Sequence, residues 1–207
     1  MNKPQDLSLA PLIVEGERLI REACAHYGLK TKPESIVLTI QTRGKREHTL
    51  GWFWAKRWKD GKKDAIHEIN LSAETLSRED VGETLIHELA HAENETNGVK
   101  DVSNGVHNKK FKAQAEALGL KVLDRDKKVG YGYTELAAPA RDFLKKIKFN
   151  SLMFKLARLT PTATKKAGTR LLKCECPTCG YVVRTTQKWI DIGLPQCPDG
   201  DEMELQD

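Results

Sequence analysis

Residues 87–91 read His-Glu-Leu-Ala-His, and this H-E-x-x-H run constrains the chain more than any other stretch. Histidines four positions apart share one face only when the segment is helical, so the motif asks for a helix. Both imidazoles can then reach one ion, and this is the spacing by which a helix holds zinc. Glu88 is turned about 100° from His87 around the helix axis. From there its carboxylate can lean over a water at the ion and take a proton from it. The pattern points to metal-assisted hydrolysis, with His87 and His91 as ligands and Glu88 as base.

The flanks agree with a helix. Ser77 is placed to cap it, with Asp80 three residues on in the manner of a capping box and Glu79 adding to an acidic first turn. Val81, Leu85, Leu89 and Ala92 form one apolar stripe, and Asn97-Gly98 tolerates the left-handed geometry of a helix end. A catalytic zinc takes three protein ligands and leaves a position for water. His107 is the first choice for the third ligand. It follows the loop from Val99 to Val106 and opens a second helical pattern, Phe111, Ala115 and Leu118, which ends at Gly119. Glu116 on that helix and His67 on a strand are the alternatives. His26 and His48 read as ordinary polar side chains.

Upstream, Leu12, Gly16, Leu19, Ala23 and Tyr27 mark an amphipathic helix ending at Gly28. Residues 35–41 alternate as a strand, and residues 49–54 and 65–71 read as two more, joined through the turn-rich Lys59-Asp60-Gly61-Lys62. The expected fold is α+β, a zincin-like core in which a small mixed sheet packs on the helices that carry H-E-x-x-H. A strand beside the metal helix would suit a substrate chain paired at its edge. Trp52, Trp54 and Trp58 read as core and rim of that sheet, and Cys24 as a core residue. Val129-Gly130-Tyr131-Gly132-Tyr133 reads as a glycine-rich hairpin with packing tyrosines, one of which is placed to donate to an oxyanion.

A length of 207 residues accommodates one ordinary domain and a small module. No run approaches the roughly 18 apolar residues of a membrane span. Met1 to Ser8 carries no signal-peptide pattern, so the chain is expected in the cytoplasm. Disulfides are rare there, and clustered cysteines read as metal ligands. Four of the five cysteines are Cys174, Cys176, Cys179 and Cys197. Cys176-Pro177-Thr178-Cys179-Gly180 is a C-x-x-C knuckle, and Cys197-Pro198-Asp199-Gly200 a degraded second one. A zinc ribbon follows as the expectation, since so small a unit needs metal in place of a core. Cys174 is favoured as its fourth ligand on thiolate affinity, with Asp199 the alternative.

Charge is unevenly spread. From Arg141 to Lys173 there are ten basic residues and one acid, net +9, against +5 for the whole chain, which leaves −4 on the rest. Such a block is the footprint of nucleic-acid binding. Lys145, Lys146, Lys148, Lys165, Lys166 and Arg170 are the candidate phosphate contacts. Trp189 is a candidate for stacking on a base or for packing inside the ribbon. The organisation read from these features is 1–138 for the metallopeptidase-like domain, 139–170 for a basic helix and linker, and 171–207 for the ribbon.

The run HELAHAENETNG, followed by VKDVSNGVHNKKFKAQAEALGL, resembles the SprT-like (Spartan-type) metallopeptidase domain. The shared features are H-E-x-x-H, a variable loop, a third His and then a Phe, here His87, Glu88, His91, His107 and Phe111. Ile66-His67-Glu68-Ile69-Asn70-Leu71 is similar to the strand before the active-site helix, and the terminal cysteine cluster is similar to that of bacterial and phage members. The loop departs from the eukaryotic pattern in placing Asn104-Gly105-Val106 before His107. The likeness covers roughly residues 35–125 and 171–204. It implies that His87, His91 and His107 bind a catalytic zinc, that Glu88 is the base, and that a second zinc is structural. It also implies protein substrates held on or crosslinked to DNA; the chain is expected to be a monomer. A DNA-binding adaptor with a structural or vestigial H-E-x-x-H zinc is the alternative, and hydrolysis of a phosphodiester a weaker third.

Overall fold

The structure is a computed structural model and describes residues 8–42, 49–61, 63–77, 80–156, 158–159 and 171–206. The chain divides into two compact units, Met1–Thr160 and Pro161–Asp207.

In the first unit, α1 (Ala10–Tyr27) starts with Pro11 in its first turn, where no donor is lost, and buries Leu12, Leu19, Ile20 and Ala23. Gly16 lets it lie directly on the sheet: a Cβ there would stand 2.4 Å from the Leu38 side chain. The sheet has three strands, β1 (Ile36–Gln41), β2 (Gly51–Asp60) and β3 (Lys63–Ser72), in the order β1-β3-β2. β1 runs parallel to β3, and β2 antiparallel to it, with Leu38 and Phe53 both opposite Ile69. Ile69 and Leu71 are fully enclosed beneath the helices.

β2 is one edge of the sheet and runs six residues past the expected strand. Its pairing shifts between Trp54 and Trp58, where Lys56 takes a φ of 54°. This irregularity absorbs the extra residues and lets pairing resume. Of the three tryptophans only Trp52 is buried, while Trp54 and Trp58 are exposed. Trp52 is thus the core member of the expected core and rim, and Trp54 and Trp58, exposed on an edge strand, are the rim.

α2 (Val81–Thr96) is the central helix. Asp80 caps it, accepting from Gly82 N at 3.0 Å and Glu83 N at 3.3 Å, so the cap is Asp80 and not Ser77. Asp serves this position as well as Ser does, and it stands directly before the first helical residue. Val81, Leu85, Leu89 and Ala92 are buried as the stripe requires, and so are Ile86 and Ala90, because helices and sheet enclose α2 on several sides.

β4 (Val102–Ser103) and β5 (Val106–His107) form a minimal hairpin before α3 (Lys109–Ala117). His107 thus ends a strand, and Asn108 is the cap of α3, accepting from Lys110 N and Phe111 N. β6 (Leu120–Val122) pairs with β7 (Thr134–Leu136). α4 (Ala138–Lys146) then packs Ala140 and Phe143 into the same core. Arg18 donates to Ile147 O at 2.9 Å, and Asn150 N donates to Glu15 at 2.8 Å. The helix expected to open a separate basic linker at residue 139 is therefore anchored in the first unit, by apolar side chains interleaved among its lysines.

The second unit is a three-stranded antiparallel sheet, β8 (Leu171–Glu175), β9 (Val182–Thr186) and β10 (Glu204–Gln206), in the order β10-β8-β9, with the single-turn α5 (Gln187–Ile190). Its buried cluster is Cys174, Cys176, Cys197 and Met203. Together the elements make an α+β chain, and among the described residues no helix is long and apolar enough to cross a membrane.

Candidate metal centre

Three imidazoles from two elements meet at one point. His87 and His91 project from one face of α2, and His107 enters from β5. One ring nitrogen from each lies within 4.8 Å of the other two, and His91 Nε2 stands 3.1 Å from His107 Nε2. Phe111, fully buried on α3, touches all three rings at centroid distances of 4.6, 4.5 and 4.5 Å. It is the apolar floor that sets their heights.

Each ring is held from behind through its Nδ1. His91 Nδ1 lies 2.7 Å from Asp101 Oδ2, which also accepts from Asn94 Nδ2 at 2.9 Å. His107 Nδ1 lies 3.0 Å from the Val129 carbonyl. His87 Nδ1 lies 3.1 Å from Thr134 Oγ1, which donates to Glu83 Oε1 at 2.9 Å. Burial opposes ionisation of Asp101, but its bonds to His91 and Asn94 outweigh that and hold it below the ordinary carboxylate range. Burial, reinforced by the neighbouring imidazoles, holds His87 well below its usual value; burial and His91 also lower His107, against the opposing pull of the Val129 carbonyl and Asp101. Both are therefore neutral at pH 7, the form in which imidazole binds metal.

The hydrogen positions follow from the partners. A carbonyl and a carboxylate only accept, so Nδ1 of His107 and of His91 carries the hydrogen. With both rings in the neutral form that binds metal, their Nε2 lone pairs face each other across 3.1 Å. A shared cation is what such an arrangement fits. Nitrogens in a tetrahedral zinc site stand roughly 3.4 Å apart, and histidines backed by carboxylate and carbonyl acceptors are the common zinc donor set.

A glycine-bearing turn aims His107. The Val129 carbonyl accepts from His107 N as well as from its ring, and Tyr131 N donates back to His107 O at 3.1 Å. A Cβ on Gly130, whose φ is 66°, would fall 2.2 Å from His107 O, and one on Gly132 would fall 2.6 Å from His107 Nδ1. The segment read as a plain hairpin is thus the rear wall of the site.

The three imidazoles open into a cleft of about 610 Å³, lined also by Glu88, Gly51 to Phe53 of β2, Tyr133 and Thr134. Glu88 is buried on α2 with its Cγ facing Gly51. The two rival third ligands lie elsewhere. Glu116 is exposed and pairs with Lys112, and His67 Nδ1 accepts from Lys56 N in the sheet. Sequence reasoning missed Asp101, Thr134, Glu83 and the Val129 carbonyl. Asn108 as the cap of α3 was the available sign that His107 lies outside the helix.

In the second unit, the thiols of Cys176, Cys179 and Cys197 lie within 4.8 Å of one another. Two similar turns present them: Gly180 N donates to Cys176 O, and Gly200 N to Cys197 O, both at 2.9 Å. Cys179 N donates to Cys176 Sγ and holds that thiol below its ordinary value. Cys174, the favoured fourth ligand, is buried on β8 outside this group, because its strand position opposite Val183 and Leu205 places it in the sheet rather than in a knuckle. Asp199 is exposed and also outside the group. Lys145, Lys146 and Lys148 are exposed, as is Trp189, with Lys188 Nζ 5.3 Å from its ring centre. Lys165, Lys166 and Arg170 lie outside the described residues.

An α+β chain with a histidine triad over a helix-borne glutamate is, as a class, a candidate metallohydrolase. The SprT-like family matches residues 18–129, more than half of the chain, and the chain belongs to that family. Comparison with curated proteins and with solved structures finds no match.

Proposed function

We propose that the chain is a zinc-dependent endopeptidase of SprT-like type with a zincin-like core, acting on proteins associated with or crosslinked to DNA. The observation that carries this is the convergence of three imidazoles, one ring nitrogen from each within 4.8 Å of the others, in a cleft that also holds Glu88. When bound, zinc supplies Lewis-acid polarisation of the scissile carbonyl and of a water. Glu88 accepts a proton from that water as its oxygen attacks the carbonyl carbon, then delivers the proton to the nitrogen as the C–N bond breaks. The backbone of Gly51 to Phe53, on the sheet edge, pairs with the substrate main chain. Tyr133, on the rim of the cleft, donates to the developing oxyanion. A second zinc, held by Cys176, Cys179 and Cys197, replaces a core in the terminal ribbon. The basic lysines bring the enzyme to DNA in the cytoplasm.

Glu88→Gln tests the reading. Proteolysis of an unfolded protein should fall by about 10²–10⁴-fold while zinc content and the folded structure stay as in the wild type. Undiminished cleavage by the variant, or no cleavage by the wild type across several unfolded substrates with zinc in place, would remove the peptidase assignment.

A further inference from the structure

We propose that Glu83, acting through Thr134, sets the tautomer of His87 and so the metal affinity of the site. This rests on the reading that the three histidines hold a divalent metal. The juxtaposition that carries it is a three-member chain: His87 Nδ1 to Thr134 Oγ1 at 3.1 Å, and Thr134 Oγ1 to Glu83 Oε1 at 2.9 Å.

The three histidines are not backed alike. Asp101 and the Val129 carbonyl only accept, so they dictate the tautomers of His91 and His107. His87 is backed by a hydroxyl, which can donate or accept. Were the hydroxyl to donate to Nδ1, His87 would carry its hydrogen on Nε2. An N–H would then point toward the other two rings, and no ion could be shared among the three. A threonine hydroxyl has one hydrogen only. Glu83 takes it, which leaves a lone pair facing His87 Nδ1 and the hydrogen on that nitrogen. Nε2 is then bare.

The placement suits the task. Glu83 lies one helical turn before His87 on α2, so the two side chains share a face. Its position three residues after the Asp80 cap is the one from which a glutamate commonly turns back to the helix start. Here its Oε1 accepts from Thr134. Thr134 arrives on β7, five residues beyond the family match, and lines the cleft beside Tyr133. Both are positioning residues that act through His87.

The test uses the full chain stripped of metal, with zinc affinity read by chelator competition and imidazole tautomers read by long-range ¹H–¹⁵N NMR. The NMR signals separate the histidine site from the cysteines. Glu83→Gln can donate its amide to Thr134 and release the hydroxyl hydrogen toward His87. Zinc affinity at the histidine site should fall about 10–100-fold, with His87 moving to the Nε2–H form. Thr134→Val should lose as much, and Thr134→Ser should restore affinity and tautomer, an outcome that simple packing damage does not produce. Glu83→Gln and Thr134→Val binding zinc as the wild type does, or a wild-type His87 already in the Nε2–H form, would overturn the inference alone. A wild-type chain that takes up no zinc at the histidines sinks the metal reading first and this inference with it.

Discussion

Phe111 shows how a single apolar side chain can organise a polar site. It is fully buried, and each imidazole rests against its ring within 4.6 Å between centroids. Truncation to Ala removes that floor and leaves a cavity, at a cost of about 3–5 kcal/mol in stability. Phe111→Ala should lower the unfolding free energy of the metal-free protein by that amount, read from its urea denaturation curve. It should also weaken zinc binding, since the rings lose the surface that sets their heights. Phe111→Leu, which fills part of the volume, should fall between the two. A full loss of stability with unchanged zinc affinity would show that the ring supports only the core. At this scale the pairing of His87 with His91 was legible because side-chain type and helical spacing carry it, and His107 joins them from a strand. Their supports were not. The Val129 carbonyl has no side-chain signature, and Thr134 lies 47 residues from the histidine it backs.

The elements divide in a similar way. α1 and α2 were readable from apolar periodicity, with ends marked by Gly28 and by Asn97-Gly98. The three strands were readable from alternation, though β2 outran its pattern once the run of exposed Lys56 to Lys59 broke the period. The turn from Asp126 to Gly132 was the element whose role could not be seen, because its work is done by backbone. Asp126 Oδ1 accepts from Lys128 N and Val129 N, which tightens the turn and presents the Val129 carbonyl to His107. Gly132 is where this can be tested with least disturbance elsewhere, since its φ lies outside the left-handed range and only space forbids a side chain. Gly132→Ala puts a methyl group 2.6 Å from His107 Nδ1 and must push the ring from Val129. Zinc affinity at the histidines should fall about tenfold or more, while zinc at the cysteines is unchanged. Equal affinity would mean that the turn yields and that His107 is aimed by β5 alone.

At the scale of the whole molecule, charge is the property that no single element carries. The net +9 between Arg141 and Lys173 sits against −4 for everything else. In the first unit, the buried Ala140 and Phe143 fasten α4 to the core while Lys145, Lys146 and Lys148 stay in solvent. Lys145 and Lys146 on this anchored helix, with Lys148 just beyond its end, are the surface proposed to contact phosphates. Neutralising them should release counterions from bound DNA, so affinity should fall steeply with salt. The triple change Lys145→Ala, Lys146→Ala and Lys148→Ala should reduce the slope of log K against log salt by about 2 to 3 for a single-stranded oligonucleotide, measured by fluorescence anisotropy. If proximity to DNA is what delivers substrates, the same variant should cleave a free unfolded protein at the wild-type rate and lose the stimulation that DNA gives toward a DNA-bound one. A wild-type salt slope in the variant would place the contacts elsewhere in the chain. Equal wild-type cleavage rates with and without DNA would detach proteolysis from nucleic acid altogether, and the basic surface would then need another partner.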